Sequence, residues 1–138
     1  MIQRIQTIWL LLASVCSFLT LKTTFYSGMM LKDNVSQFTT LNAMTNVILL
    51  VLTVAVALAS LITIFLYKDR KMQLKIGIAA LVVSIGCIAF YFKLIQDFTT
   101  GTYALTSAIA FAIPVFLFFA VRNIYKDEKL VKSVDRLR

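Results

Sequence analysis

The chain offers few groups that could do chemistry. It has no histidine among its 138 residues, which removes the commonest general base, haem ligand and transition-metal ligand. Its acids, Asp33, Asp69, Asp97, Asp127, Glu128 and Asp135, fall in stretches that read as loops or as the C-terminal tail, and no pair of them has a motif around it. The cysteines stand in matching surroundings. Arg4 lies 12 residues before Cys16 and Lys22 lies 6 after it, and Lys75 and Lys93 keep the same spacings around Cys87. Equal depth on two helices would permit a bridge or a shared soft-metal site. A small buried hydrophobe fits better, because disulfides belong to oxidising aqueous compartments. The expectation is therefore no catalytic residue, no metal, no cofactor and no enzyme activity.

The elements that would position such groups are membrane spans. Sixty per cent of the residues are hydrophobic, 14% are charged and one is proline, and the mean hydropathy is +0.88; a soluble domain carries about a quarter charged residues. Runs without Asp, Glu, Lys or Arg cover residues 5–21, 34–67, 76–92 and 98–121. A spanning helix needs about 20 apolar residues, so the runs predict four spans at about 5–21, 43–67, 76–92 and 103–121. The first and third are short, but Arg4, Lys22, Lys75 and Lys93 can snorkel and lengthen them. Outer loops then cover 22–42 and 93–102, a cytoplasmic loop covers 68–75, and a tail covers 122–138. Eleven of the 14 Lys and Arg residues fall on one side of that layout, which places both ends in the cytoplasm. The net charge of +8 is accounted for by this asymmetry and by attraction to anionic headgroups, with no nucleic-acid partner implied. The first span lacks a small-x-small site followed by a soluble domain, and Val15 precedes Cys16 where a lipidation signal needs a small residue, so neither cleavage nor lipidation is expected.

The chain spells nearly the same word twice, Tyr67-Lys68-Asp69-Arg70-Lys71 and Tyr125-Lys126-Asp127-Glu128-Lys129. Interfacial tyrosine with basic residues is an anchor in its own right, but other markers recur in the same order. The cysteine spacings match, Phe38-Thr39-Thr40 is answered by Phe98-Thr99-Thr100, and Ala43-Met44-Thr45 by Ala104-Leu105-Thr106. The pattern suggests a tandem two-helix hairpin, the first copy carrying the longer outer loop. Such parallel repeats occur among transporters as well as simple bundles.

Small residues mark expected packing faces. Ala104, Ala108 and Ala112 recur every four positions on the fourth span, as do Ala55, Ala59 and Thr63 on the second, and such stripes let helix backbones approach closely. Pro114 predicts a kink in the fourth span. Thr23-Thr24-Phe25-Tyr26 and Val35-Ser36-Gln37-Phe38-Thr39, with turn signals at Ser27-Gly28 and Asp33-Asn34, predict a short β-hairpin in the first outer loop. Phe25, Tyr26, Met29, Met30 and Phe38 give that loop an apolar surface that either binds a partner or packs as a lid. In the tail, Leu130, Val131, Val134 and Leu137 form a helical stripe beside Lys126, Lys129, Lys132 and Arg136. With Lys68, Arg70 and Lys71 these basic residues are candidates for headgroup or partner contact.

The opening MIQRIQTIWLLLA and the closing KDEKLVKSVDRLR, together with the size and the four-span layout, resemble a family of uncharacterised bacterial inner-membrane proteins, domain-of-unknown-function 4293. The resemblance implies a bacterial cytoplasmic membrane and a four-helix protein, and it supplies no activity, ligand or catalytic residue. The expectation is an all-α bundle of four transmembrane helices with both termini inside. Its partners are expected to be membrane lipid and either a membrane protein or further copies of itself. A non-enzymatic accessory or scaffold subunit fits best, and a small transporter or channel for a neutral or apolar solute is the alternative.

Overall fold

A computed structural model describes residues 2–136, with side chains from Ile5 onward. The side chain of Arg4 and the tail residue Leu137, both used in the sequence reading, lie outside the described residues. The chain is mostly helical, with α1 Ile2–Leu19, α2 Val47–Phe65, α3 Arg70–Ile95 and α4 Ser107–Asp135. α1 packs on α2 and α4, and α3 packs on the same two helices. Helices α2, α3 and α4 are each long and apolar enough to cross a membrane, and α1 contributes a shorter apolar stretch, Ile5–Leu19.

The helices are apolar outside, and their apolar interior is interspersed with small hydroxyl residues. Ile8, Val51, Ile62, Val82, Ile85 and Phe118 point outward, while Ser14, Ser17, Ser60, Thr63 and Ser84 are buried. Most of these hydroxyls bond a carbonyl of their own preceding turn, as Ser17 does to Ala13 (2.8 Å) and Ser60 to Val56 (2.7 Å). Such back-bonding satisfies the hydroxyl without a partner helix, so small polar residues act as thin spacers. Ser14 reaches across instead and donates to the Ala57 carbonyl at 3.3 Å.

The expectation of an all-α chain is corrected by a three-stranded antiparallel sheet of order β2-β1-β3, with β1 Tyr26–Lys32, β2 Val35–Leu41 and β3 Phe98–Tyr103. A hairpin was expected in this loop, but its first strand is Tyr26–Lys32 where Thr23–Tyr26 was expected; it turns at Asp33 and Asn34, both with positive φ. Ser27-Gly28 is no turn; it lies within β1, where a Cβ on Gly28 would stand 2.1 Å from the Thr100 carbonyl oxygen. Glycine is there to let β3 approach. The second outer loop, expected to be plain loop, supplies that third strand. Its Thr-Thr-Gly-Thr-Tyr sequence is β-prone but too short to signal a strand without β1 beside it.

Element ends follow local chemistry. Asn46 caps α2, its side-chain oxygen accepting from the Ile48 N–H at 3.0 Å. Asp69 caps α3, accepting from the Met72 N–H at 3.3 Å. The second helix thus occupies less than the expected 43–67, because Asn42, Met44 and Thr45 form a hydrogen-bonded turn ahead of it. The tail is no separate helix either. α4 runs unbroken through Pro114 and Arg122 to Asp135, so at ~1.5 Å per residue it extends roughly 43 Å.

Candidate functional site

Two places gather side chains beyond simple packing, one at each end of the helices. At the sheet end, Phe25 stacks on Tyr91 of α3 with ring centroids 4.2 Å apart and also meets Phe111 of α4 at 5.6 Å. Tyr26 meets Phe98 and Tyr103 edge-on at 5.3 and 5.1 Å. The Thr106 hydroxyl donates to the Thr24 carbonyl, and the Ala104 N–H to the Phe25 carbonyl at 3.1 Å. Both outer loops are thereby stitched onto the start of α4. Of the five residues expected to form an apolar surface, Phe25 and Tyr26 are buried. Met30 is half-buried, and Met29 and Phe38 remain exposed on the sheet.

At the opposite end, Gln6 of α1 donates through its side-chain nitrogen to the Asp127 carboxyl of α4. Asp127, placed by its sequence in the C-terminal tail, is only 7% exposed within α4. Arg70 is half-buried and donates to the Asp127 main-chain carbonyl at 3.3 Å. Gln73 donates to the Thr63 carbonyl at 3.1 Å, closing the α2–α3 corner. The two repeated words therefore touch, yet they differ in form. Asp69 of the first caps a helix start, while Asp127 of the second is buried within a continuous helix. Lys68, Lys71, Lys126, Lys129, Lys132 and Arg136 are exposed, and Lys132 pairs with Glu128 at 2.7 Å.

The expected stripes meet the core only in part: Thr63 is buried, Ala59 packs half-buried against the core and Ala112 is half-buried, while Ala55 and Ala108 are exposed and Ala104 precedes α4. The buried seam of α4 runs instead through Ser107, Ala110, Ile113, Leu117, Ala120, Ile124 and Asp127. A strict four-residue period drifts around a helix of 3.6 residues per turn, whereas alternating steps of three and four hold one face. Between the helices, Ser17, Thr20, Thr53, Ser84, Cys87 and Tyr91 line a cavity of about 20 Å³, room for roughly one water. Cys16 and Cys87 are free thiols. Among the described residues no group of three or more His, Cys, Asp or Glu side chains could hold a metal.

A family model described as a domain of unknown function, DUF4293, matches residues 2–137. The chain belongs to this family. No curated protein and no solved structure matches it. The DUF4293 match covers residues 2–13 and 126–137 of the two end motifs, and Gln6 of the first motif meets Asp127 of the second. The sequence marks Asp127 as an acid of the tail and part of the repeated word, and does not mark Gln6 as its partner.

Proposed function

We propose that this DUF4293 chain is a four-span protein of the bacterial inner membrane, with both ends in the cytoplasm. Its role there is that of a non-enzymatic accessory or scaffold subunit of a membrane complex. The observation that carries this reading is the narrow interior: the cavity between the helices at Ser17, Thr53, Ser84 and Ala110 holds about 20 Å³ and is lined by residues from all four of them. A solute path of drug or metabolite size needs hundreds of Å³. The apolar exteriors of α1–α4 support insertion, and the clustering of Lys and Arg at the Gln6–Asp127 end supports the orientation. The recurrence of Phe-Thr-Thr in β2 and in β3, the two outer strands of the sheet, supports a duplicated hairpin.

The test is purification in gentle detergent from native membranes, with an affinity tag inserted between Asp33 and Asn34, followed by mass spectrometry. A different membrane protein recovered in fixed stoichiometry supports the subunit role and names the process. A chain that elutes with only lipid or a bound small molecule overturns it in favour of transport.

A further inference from the structure

β2 is an outer edge of the sheet, and no strand among the described residues pairs with its free side. Edge strands are commonly guarded by a charge, a proline or a bulge. The opposite edge, β3, is broken by a register shift at Met29 and Met30. β2 has no such guard: Val-Ser-Gln-Phe-Thr-Thr-Leu carries no charge, proline or glycine and keeps regular register with β1 along its whole length.

Three bonds show which of its backbone groups face outward. The Leu41 carbonyl accepts from the Phe25 N–H at 2.7 Å and so points inward. The Thr40 carbonyl accepts from the Thr45 hydroxyl at 3.4 Å and points away from β1. The Met29 carbonyl accepts from the Thr99 hydroxyl of β3 at 3.0 Å, which turns it away from its cross-strand partner Phe38. By the alternation of an antiparallel ladder, the N–H and C=O groups of Ser36, Phe38 and Thr40 face the free side.

The strand is close to a palindrome about Phe38. Val35 mirrors Leu41, Ser36 mirrors Thr40, and Gln37 mirrors Thr39. Two antiparallel copies with Phe38 opposite Phe38 therefore set apolar against apolar and hydroxyl against hydroxyl, with no like charges opposed. The covered part of the sheet, at Tyr26 and Leu41, packs in one cluster with Leu49, Tyr91 and Ala110 at the helix ends, while residues 31–38 are exposed. The outward face carries Met29, Leu31 and Phe38, the last 67% exposed.

We propose that β2 pairs antiparallel with β2 of a second copy, centred on Phe38, joining two three-stranded sheets into one across a homodimer. The contact is isologous, as a closed two-fold assembly requires. This goes beyond the accessory-subunit reading, since a homodimer can serve with or without a further partner.

The test is oxidative cross-linking in native membranes, with wild type as the control for Cys16 and Cys87. Phe38→Cys should cross-link to itself, because hydrogen-bonded antiparallel pairs bring Cα atoms to about 5.5 Å, within disulfide range. Ser36→Cys alone should not, while Ser36→Cys with Thr40→Cys should. Phe38→Lys, which sets two charges on the axis, should convert a species of twice 15.5 kDa in lipid nanodiscs to the monomer while the protein still elutes as a single peak. Equal cross-linking of Ser36→Cys and Phe38→Cys, a monomeric wild type, or capture of a different protein by Phe38→Cys would each overturn the proposal.

Discussion

Gln6 and Asp127 show how one contact can hold an end of this molecule. They lie 121 positions apart, and both are buried where α1 and α4 meet. Removing one partner of a buried hydrogen bond leaves the other without compensation, at a cost of about 1–3 kcal/mol. Gln6→Ala should therefore lower stability by that amount in a thermal or SDS unfolding titration. The pair Gln6→Met with Asp127→Leu should recover most of the loss, because an apolar replacement of both leaves nothing unsatisfied. A second contrast concerns Ser17, which is fully buried and bonded to its own preceding turn. Ser17→Ala should be nearly neutral, whereas Ser17→Leu has no room and should cost roughly 1–3 kcal/mol by overpacking.

Elements join through close backbone approach at the sheet and through continuous helix at the other end. A Cβ at Gly28 would meet the Thr100 carbonyl oxygen at 2.1 Å and the Gly101 Cα at 2.6 Å, both main-chain atoms that cannot swing aside. Gly28→Ala should separate β3 from β1 while leaving the β1–β2 hairpin paired. Faster amide exchange confined to residues 98–103 would show it. α4 makes the opposite kind of prediction. Because the helix continues unbroken to Asp135, Val134, 64% exposed, is carried away from the helix ends instead of lying along the headgroups. A nitroxide on Val134→Cys should be quenched by a water-soluble relaxation agent and not by oxygen, which partitions into lipid. Strong oxygen quenching would restore the flat, headgroup-resting tail expected from sequence.

At the scale of the whole molecule, the two ends of the helix assembly should lie on opposite sides of one membrane. A membrane-impermeant thiol reagent applied to intact cells should label Asn34→Cys in the hairpin turn and leave Lys71→Cys unlabelled until the cells are opened; the reverse pattern would invert the orientation. The helical segments were legible in the sequence. Runs free of charge mark helices because a charged side chain is costly in hydrocarbon, and the family shows in the end motifs. The Asp33-Asn34 turn was legible because both residues tolerate positive φ. What the sequence left undecided were the faces. In an apolar helix, inward and outward residues are both hydrophobic, so periodicity gave Ala55 and Ala108 a packing role, yet the seams run through Thr53, Ser60, Ala110 and Leu117. β3 likewise exists because β1 lies beside it to satisfy its main-chain groups. Asp127 is buried because Gln6 comes from the far end of the chain to meet it. Local composition determined which segments are helices, since the solvent acts on each segment separately; tertiary structure decided which side chains meet, since that depends on partners distant in sequence.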